Sequence, residues 1–409
     1  MAKLSSSNGK KANVPKLRFP EFTEEWEASN IGEISTYIKG APLSKADISE
    51  TGTPFILYGE LYTTYKEVAT EIKRKTNCIV DKKYFSKIGD VVIPTSGETP
   101  EEIATATCVM TPNVILAGDL NIFRINDIDG RFFSYVINHK VNKDISRIAQ
   151  GKSIVHIKGE EISKIQIKYP SDEEQQKILS FIELLSLKIE KQEQLIDKLK
   201  KYKRGALSAL FPKKGEITPQ YRFAGFTKPW EQRKLGELGT VSMCRRIFKE
   251  QTSERGDIPF YKIGTFGGQA DAFISIELFE EYKSKYPYPK KGDILISASG
   301  SIGRTVEFTG KNEYFQDSNI VWLNHDDRLN NSFLKCFYSV IKWAGIEGST
   351  IKRLYNDNIL NTVISLPSVD EQRKIGTFFK ELDNFITLHQ HKYDTLLTLK
   401  NALLQQMFI

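Results

Sequence analysis

The side chains best suited to specific polar contacts lie in short loops rich in basic, hydroxyl and glycine residues. The segments are YTTYK (62–66), KRK (73–75), Ser96, GKSIVHIK (151–158), CRRIFK (244–249), GTFGGQ (264–269), SGSIGR (299–304) and STIKR (349–353). Lys and Arg neutralise phosphates, whereas Arg, Lys, Asn, Gln, Ser and Thr hydrogen-bond to base edges. This composition is typical of nucleic-acid contact, although a solvated surface position is the alternative for any single Lys or Arg.

These loops give a set of candidate DNA-contact residues in each half of the chain. In the first half they are Tyr62, Thr63, Thr64, Lys66, Lys73, Arg74, Lys75, Ser96, Lys152, Ser153 and His156. In the second half they are Arg245, Arg246, Thr265, Gly267, Gly268, Gln269, Ser299, Ser301, Arg304, Thr350, Lys352 and Arg353. Tyr58 and the pair Tyr286 and Tyr288 are expected to pack in the core or on the surface.

Catalytic signatures are missing from the sequence. There is no GxxxxGK[ST], GxGxxG, HExxH or GxSxG, and no Asn/Asp-Pro-Pro-aromatic tetrapeptide that would hold a target amine. The acidic residues at 173–174 and 370–371 fit helix starts, and SGSIGRT (299–305) fits a phosphate contact or a bare tight turn equally well. We therefore expect a binding protein without a catalytic site.

Cysteine and charge patterns set the remaining bounds. The four cysteines form no CxxC pair, so we expect no metal site, and free thiols in a cytoplasmic chain. Residues 1–14 lack an apolar stretch and are expected to form a flexible polar tail. The sequence contains no run of about 18 apolar residues, so no membrane span is predicted. The net charge of +7 is compatible with a nucleic-acid partner.

The chain repeats itself at half its length. RFPEFTEEWE (18–27) and RFAGFTKPWE (222–231) share six of ten positions at an offset of 204 residues. Further matches follow in the same order: IGEI with LGEL, GDVVIPTSG with GDILISASG, NIFRIN (121–126) with NIVWLN (319–324), and PSDEEQQKI with PSVDEQRKI. Their offsets of 204, 203, 198 and 197 indicate a duplicated unit of domain size.

A heptad pattern follows the last repeated phrase in each copy. Apolar residues alternate at spacings of four and three, which predicts a coiled coil; an amphipathic helix packed on its own domain is the alternative. The seams begin with Ile178, Ile182, Leu185 and Ile189, and with Ile375, Phe379, Leu382 and Ile386. Polar breaks match at Gln192 and His389, and at Lys203 and Lys400.

The predicted fold class is α+β, with two tandem α/β domains joined by two long helices. The expected segments are a tail (1–14), domain one (15–168), helix one (169–211), a linker (212–218), domain two (219–366) and helix two (367–409). Because the order is domain, helix, domain, helix, paired helices would be antiparallel and the domains related by a pseudo-two-fold axis. Each helix would span about 58 Å, which suits a ligand with two separated half-sites such as duplex DNA.

From about residue 15 to residue 409 this duplicated order resembles the specificity (S) subunits of type I restriction-modification systems. The resemblance implies two target-recognition domains, each reading one half of a split asymmetric DNA sequence, and an antiparallel coiled coil that fixes the spacer. It also implies two methylating (M) subunits carrying S-adenosylmethionine, two motor-nuclease (R) subunits using ATP and Mg, and no cofactor or catalysis in this chain. Partner docking and spacer geometry would involve Glu174, Gln175, Ile178, Glu371, Gln372 and Ile375.

The two copies differ in one loop that is a candidate for DNA contact. The first-copy loop SGETPEEIATAT carries Glu98, Glu101 and Glu102 where the second copy has SGSIGRT. This acidity weighs against equal backbone contacts of both loops with DNA. The alternatives to a DNA-reading subunit are a protein-binding scaffold without nucleic acid and a self-contained methyltransferase or nuclease with an unfamiliar site.

Overall fold

The computed structural model describes residues 13–151, 154–213, 215–343 and 353–409. Packing divides the chain into a first unit, Met1–Gln192 with Lys392–Ile409, and a second unit, Glu193–His391. Each unit contains strands and short helices, which we call its head, and a part of each of two long helices. The packing therefore divides each long helix between the two units. The sequence analysis instead treats each long helix as a segment separate from the domains.

The elements up to residue 210 belong to the first head and the first long helix. The strands are β1 (Glu27–Asn30), β2 (Ser35–Lys39), β3 (Thr53–Ile56), β4 (Val68–Ala69), β5 (Lys75–Thr76), β6 (Asp90–Pro94), β7 (Ser96–Gly97), β8 (Thr107–Val109), β9 (Ile115–Leu116), β10 (Leu120–Ile125), β11 (Val155–His156) and β12 (Gln166–Tyr169). The helices are α1 (Glu60–Thr63), α2 (Pro100–Ile103), α3 (Gly130–Val136), α4 (Asn142–Ile148), α5 (Gly159–Ser163) and α6 (Asp172–Leu210). A π-helical turn (Ile137–Val141) links α3 to α4.

The second head and the second long helix follow the same order. The strands are β13 (Glu231–Lys234), β14 (Gly239–Ser242), β15 (Ile258–Tyr261), β16 (Ala272–Ile274), β17 (Ile294–Ser297), β18 (Thr305–Glu307), β19 (Tyr314–Phe315), β20 (Ile320–His325) and β21 (Val363–Leu366). The helices are α7 (Ile276–Lys285), α8 (Asn331–Val340), α9 (Asn356–Leu360) and α10 (Val369–Met407).

Sheet topology repeats between the heads, which confirms the duplication. The order β2-β10-β6-β8 in the first head corresponds to β14-β20-β17-β18 in the second. The pair β1-β12 corresponds to β13-β21, and β5-β3-β9 corresponds to β16-β15-β19. Both GD phrases enter a buried strand from a glycine at positive φ, Gly89 (90°) and Gly292 (96°), a conformation that glycine adopts without steric cost.

Strand register corrects one of the sequence matches. Leu120 lies opposite Pro94, and Ile320 lies opposite Ser297. Because Pro94 and Ser297 are equivalent at the offset of 203, the equivalent of Leu120 is Ile320, at an offset of 200. The match of NIFRIN with NIVWLN at 198 is therefore wrong by two residues. An Asn-Ile dipeptide at shifted positions of the two strands caused the error.

The tryptophan of each repeated phrase anchors its head to the long helices. Trp26 is 1% exposed and contacts Phe132 edge-on, with ring centroids 5.7 Å apart. Trp230 is 3% exposed and contacts Phe333 in the same way at 5.8 Å. Each lies in a core cluster that includes residues from both long helices. The repeated phrases therefore have a structural role, because their tryptophans pack in the cores.

A bidentate ion pair joins each repeated phrase to the start of a long helix. Arg18 Nε and Nη2 donate to the Glu174 carboxylate at 2.8 and 2.7 Å. Arg222 Nε and Nη2 donate to the Glu371 carboxylate at 2.9 and 2.6 Å. Both glutamates are 1% exposed. They therefore do more than favour a helix start, because each buried carboxylate binds an arginine of its own unit.

The glutamine that follows each glutamate bonds to the head as well. Gln175 Oε1 accepts from the backbone N–H of Asp129 at 2.9 Å, and its Nε2 donates to the Pro170 carbonyl at 2.9 Å. Gln372 makes the equivalent bonds to Asn330 at 2.8 Å and to Pro367 at 3.0 Å. Asp129 and Asn330 cap α3 and α8. Each buried glutamine thus fixes a head helix relative to a long helix.

Within each unit, the start of one long helix packs with the end of the other. In the first unit, Ile178 and Ile182 share a core with Leu404 and Met407. In the second unit, Leu207 shares a core with Ile375 and Phe379. This is the antiparallel arrangement expected from the chain order. The predicted seam residues, including Leu185, Ile189, Leu382 and Ile386, are buried or half-buried along both helices.

We expect Arg18→Ala and Arg222→Ala to destabilise the protein strongly. Each change leaves a buried carboxylate, Glu174 or Glu371, without its cation, a loss of about 3–5 kcal/mol for buried pairs. Urea denaturation of the full chain measures the free energy of unfolding.

Arg147→Ala is the matched control, because its ion pair with Asp144 is largely exposed and such pairs contribute about 0–1 kcal/mol. Equal shifts for Arg18→Ala and Arg147→Ala would contradict a structural role for the buried pair.

Candidate nucleic-acid interface

A cleft of about 920 Å³ lies in the first head beside helix α1. Its lining combines cations with tyrosines and hydroxyl groups. The polar and aromatic residues include Lys39, Lys45, Tyr58, Tyr62, Thr63, Arg74, Thr95 and Asp119. Three of the predicted contact residues, Tyr62, Thr63 and Arg74, are thus brought together here. A basic, partly aromatic concavity can accept a phosphate-bearing or base-like surface.

A buried carboxylate holds Arg74 at this cleft. Arg74 Nε lies 3.0 Å from Glu60 Oε1, and Glu60 is 3% exposed. Burial raises the pKa of Glu60, opposed by the Leu57 N–H and the charge of Arg74. Burial also raises the pKa of Tyr62, together with the nearby charge of Glu102, so its hydroxyl stays protonated and can donate a hydrogen bond.

A serine after the central strand of the first head begins a polar site. Ser96 is 5% exposed, and its hydroxyl donates to Asp119 Oδ2 at 2.9 Å. His156 lies opposite Ser96 in the β7–β11 pair, and its side chain is exposed. Two backbone bonds brace the site: Thr95 N–H to the Asp119 carbonyl at 2.7 Å, and Ile157 N–H to the Thr95 carbonyl at 2.9 Å.

The second head repeats this site with different side chains. Ser299 is 7% exposed, and its hydroxyl donates to Asn319 Oδ1 at 2.7 Å. Arg353 lies opposite Ser299 in an isolated β-bridge. The Ala298 N–H donates to the Asn319 carbonyl at 2.7 Å, and the Leu354 N–H donates to the Ala298 carbonyl at 2.8 Å. We call Ser96, Asp119 and His156, and their counterparts Ser299, Asn319 and Arg353, the paired polar site.

The loops after these serines differ in structure. In the first head a capping box lies at the N-terminus of α2. The Glu102 carboxylate accepts from the N–H groups of Glu98 and Thr99, and the Glu102 N–H donates to Thr99 Oγ1 at 3.2 Å. In the second head Gly300 and Gly303 turn at positive φ, 64° and 83°. Of the three acidic residues in this loop, Glu102 therefore has a local structural role.

Basic residues of the second head lie around a second cavity of about 470 Å³, lined by Arg245, Arg246, Phe248 and Asp317 among others. The Arg245 guanidinium lies 5.1 Å from the Tyr286 ring centroid, so Tyr286 supports a cation, while Tyr288 packs among core rings as expected. Arg246 Nε donates to Asp317 at 2.9 Å.

The remaining candidates of the second head lie in two loops. Arg304 Nη1 donates to the Phe266 carbonyl at 2.7 Å and so holds the loop that carries Thr265. In that loop Gly267, Gly268 and Gln269 are exposed. Ser301 is exposed in the turn that follows Ser299. Arg353 Nη2 donates to the Ser318 carbonyl at 3.2 Å. Arg304 and Arg353 thus position loops as well as carrying charge.

Several predicted residues stay outside these clusters. Thr64, Lys66, Lys73 and Lys75 are exposed but do not line the cleft of the first head. The candidates Lys152, Ser153, Thr350 and Lys352 lie outside the described residues. Sequence reasoning missed Lys39, Lys45, Asp119 and Asn319. Correct alignment of β10 with β20 would have found the last two, because it places both directly before equivalent strands.

No group of side chains arranged to hold a metal ion occurs among the residues that the structure describes. Within the same ranges, none of the helices is long and apolar enough to cross a bilayer.

Comparison with known proteins places this geometry in a family. The model for the type I restriction modification DNA specificity domain matches residues 23–201 and 227–398. A Haemophilus influenzae protein named as a type I restriction enzyme specificity subunit is 60% identical over 156 residues, which cover 38% of this chain and 40% of that protein. The MjaVIII specificity subunit of Methanocaldococcus jannaschii is 23% identical, with 93% of this chain and 91% of that protein covered.

Solved structures share the fold. The S subunit of a type I restriction-modification system from M. genitalium matches with a TM-score of 0.61 and 16% identity, covering 97% of this chain and 99% of that one. A chain from a structural study of type I complex assembly and conformational transition matches with a TM-score of 0.57 and 17% identity, covering 94% and 97%. With a duplicated α+β head and two matches to the family model, the chain belongs to the type I restriction-modification DNA specificity family.

Proposed function

We propose that this chain is the DNA-reading subunit of a type I restriction-modification complex. Each head binds one half of a bipartite, asymmetric DNA site, and the paired long helices set the spacer between the halves. The observation that carries the proposal is the paired polar site: one backbone frame occurs twice and holds different hydrogen-bonding side chains. A reader of two unlike half-sites needs this combination of a shared scaffold and divergent contacts.

Charge supports contact between the heads and DNA. Lys39, Lys45 and Arg74 line the cleft of the first head, and Arg245 and Arg246 line the cavity of the second. Cations at such positions release counterions from DNA phosphates and give sequence-independent affinity. The hydroxyl, amide and carboxylate groups beside them supply the contacts that discriminate between bases.

Exposed apolar side chains on the long helices support protein partners. Leu184 is 67% exposed on α6, and Leu388 is 64% exposed on α10. Phe181, Leu187 and Phe385 are also exposed. Phe181, Leu184 and Leu187 follow one another at i,i+3 spacing, as do Phe385 and Leu388, so they form contiguous apolar patches of the kind that other chains cover. In the proposed complex these chains are two M subunits, which carry S-adenosylmethionine and methylate adenine, and two R subunits, which use ATP and Mg.

The proposed subunit is non-catalytic and has no cofactor of its own. Incubating the purified chain with S-adenosylmethionine and DNA, with and without M subunits, tests this role. We expect methyl transfer only when M subunits are present. Methyl transfer by the isolated chain would overturn the proposal in favour of a self-contained methyltransferase.

We expect Lys45→Ala and Arg245→Ala to weaken binding of the chain with its M subunits to all duplexes alike. Each change removes a phosphate contact, so the slope of log affinity against log salt should fall by about one. Fluorescence anisotropy over a range of salt concentrations measures this slope.

Arg233→Ala is the control, since Arg233 is exposed on the separate sheet formed by β13 and β21. A slope that is the same for all three variants and the wild type would remove these clefts as the binding face.

We expect a one-heptad insertion after Gln192 and another after His391 to lengthen the spacer of the methylated site. Seven helical residues add about 10.5 Å, which corresponds to about three base pairs at 3.4 Å each. Mapping of methylated adenines in cells that carry the complex measures the spacer.

A seven-residue insertion after Glu216, in the linker between α6 and the second head, is the control and should leave the spacer unchanged. An unchanged spacer in the double helix insertion would show that the helices do not set it.

A further inference from the structure

We propose that Asp119 and Asn319 are equivalent base-reading residues that present opposite hydrogen-bond polarity to the two half-sites. Asp119 would accept from the exocyclic amino group of a cytosine or adenine. Asn319 would donate to an acceptor such as N7 or O6 of a purine. This inference rests on the proposed function and assigns residues and base chemistry to it.

The two residues occupy one position in a repeated backbone frame. Asp119 directly precedes β10, and Asn319 directly precedes β20. The backbone carbonyl of each accepts from the residue that follows the central strand, Thr95 or Ala298, at 2.7 Å in both heads. The two side chains therefore leave the scaffold from the same place.

A buried serine orients each of the two side chains. The Ser96 hydroxyl donates to Asp119 Oδ2 at 2.9 Å, and the Ser299 hydroxyl donates to Asn319 Oδ1 at 2.7 Å. Both serines are less than 8% exposed, at 5% and 7%. A side chain held by a fixed donor is preorganised, which lowers the cost of ordering it on binding. Ser96 and Ser299 are accordingly positioning residues.

The serine bond determines what each side chain can offer to DNA. A carboxylate only accepts, so Asp119 retains Oδ1 as an acceptor, and its side chain is exposed. The side-chain oxygen Oδ1 of Asn319 already accepts from the Ser299 hydroxyl, so the side-chain N–H₂ group remains as the donor. Among the described residues, no protein group hydrogen-bonds to Asp119 Oδ1 or to Asn319 Nδ2.

The third member of the paired polar site extends the same difference. His156 faces Ser96 across β7 and β11, whereas Arg353 faces Ser299. Arg353 adds donors beside Asn319, and paired donors suit the two acceptors on the major-groove edge of guanine. The second head thus presents a donor-rich surface where the first presents a carboxylate.

The test is selection from a duplex library randomised over both half-sites, using the chain assembled with its M subunits. We expect Asp119→Asn to lower discrimination about 5- to 140-fold at one base position of one half-site, the range for a lost base contact. Asn319→Asp should do the same in the other half-site only. Ser96→Ala should weaken selection at the same base position as Asp119→Asn.

Asp127→Asn and Asn324→Asp are matched controls, because these exposed residues lie near the other ends of β10 and β20 and undergo the same chemical change. They should retain the wild-type selection at every base position. If the Asp119→Asn chain does not assemble with its M subunits, the selections by Asp119→Ala and Asn319→Asp test the same inference.

Two negative results have different meanings. If the wild-type complex selects a bipartite sequence and both reading-residue variants keep it with full discrimination, the inference is overturned and the proposed function stands. If the wild-type complex selects no sequence, the proposed function itself fails, and the inference fails with it.

Discussion

The arginine–glutamate pair at the start of each long helix is the interaction on which the rest of the structure depends. A buried carboxylate is very unfavourable without a cation and hydrogen-bond donors. Arg18 supplies both to Glu174, and Arg222 supplies both to Glu371, in fork-like geometry. Gln175 and Gln372, which directly follow these glutamates, bond to the N-termini of the head helices α3 and α8. The first turn of each long helix therefore holds both the repeated phrase and a head helix. These polar contacts, together with the tryptophan-centred core clusters, set the orientation of each head on its helices.

The two heads reach the same frame through different local chemistry. After Ser96 the chain forms a capped helical turn at Thr99, whereas after Ser299 it turns through two glycines at positive φ. Both solutions return the chain to an equivalent neighbouring strand of the main sheet. The scaffold therefore accommodates two different loops at this position, although the first loop also contributes Ile103 to the core of its head. Divergent recognition on a constant frame is the expected consequence.

Local and repeated features could be predicted from the sequence, and long-range pairings could not. Both long helices have short-range patterns, and their predicted bounds lie within a few residues of the observed ones. The Arg18–Glu174 pair joins residues 156 positions apart, so Glu174 looked like a helix-start residue. Asp119 and Asn319 were missed because the dipeptide Asn-Ile occurs at shifted positions of equivalent strands. Strand register resolves this ambiguity, which sequence similarity alone leaves open.

The residues that complete the core of the first unit are synthesised long after that unit begins. Phe408 packs on Phe132 and Tyr135, in the cluster that contains Trp26. At about 5–20 residues per second, translation from Trp26 to Phe408 takes roughly 20 to 80 seconds. The second core cluster extends to Phe379, with Leu382 packed against it, so it is complete before the first. The core cluster that contains Trp26 thus receives its last aromatic ring, Phe408, after the buried residues of the second cluster have all been synthesised.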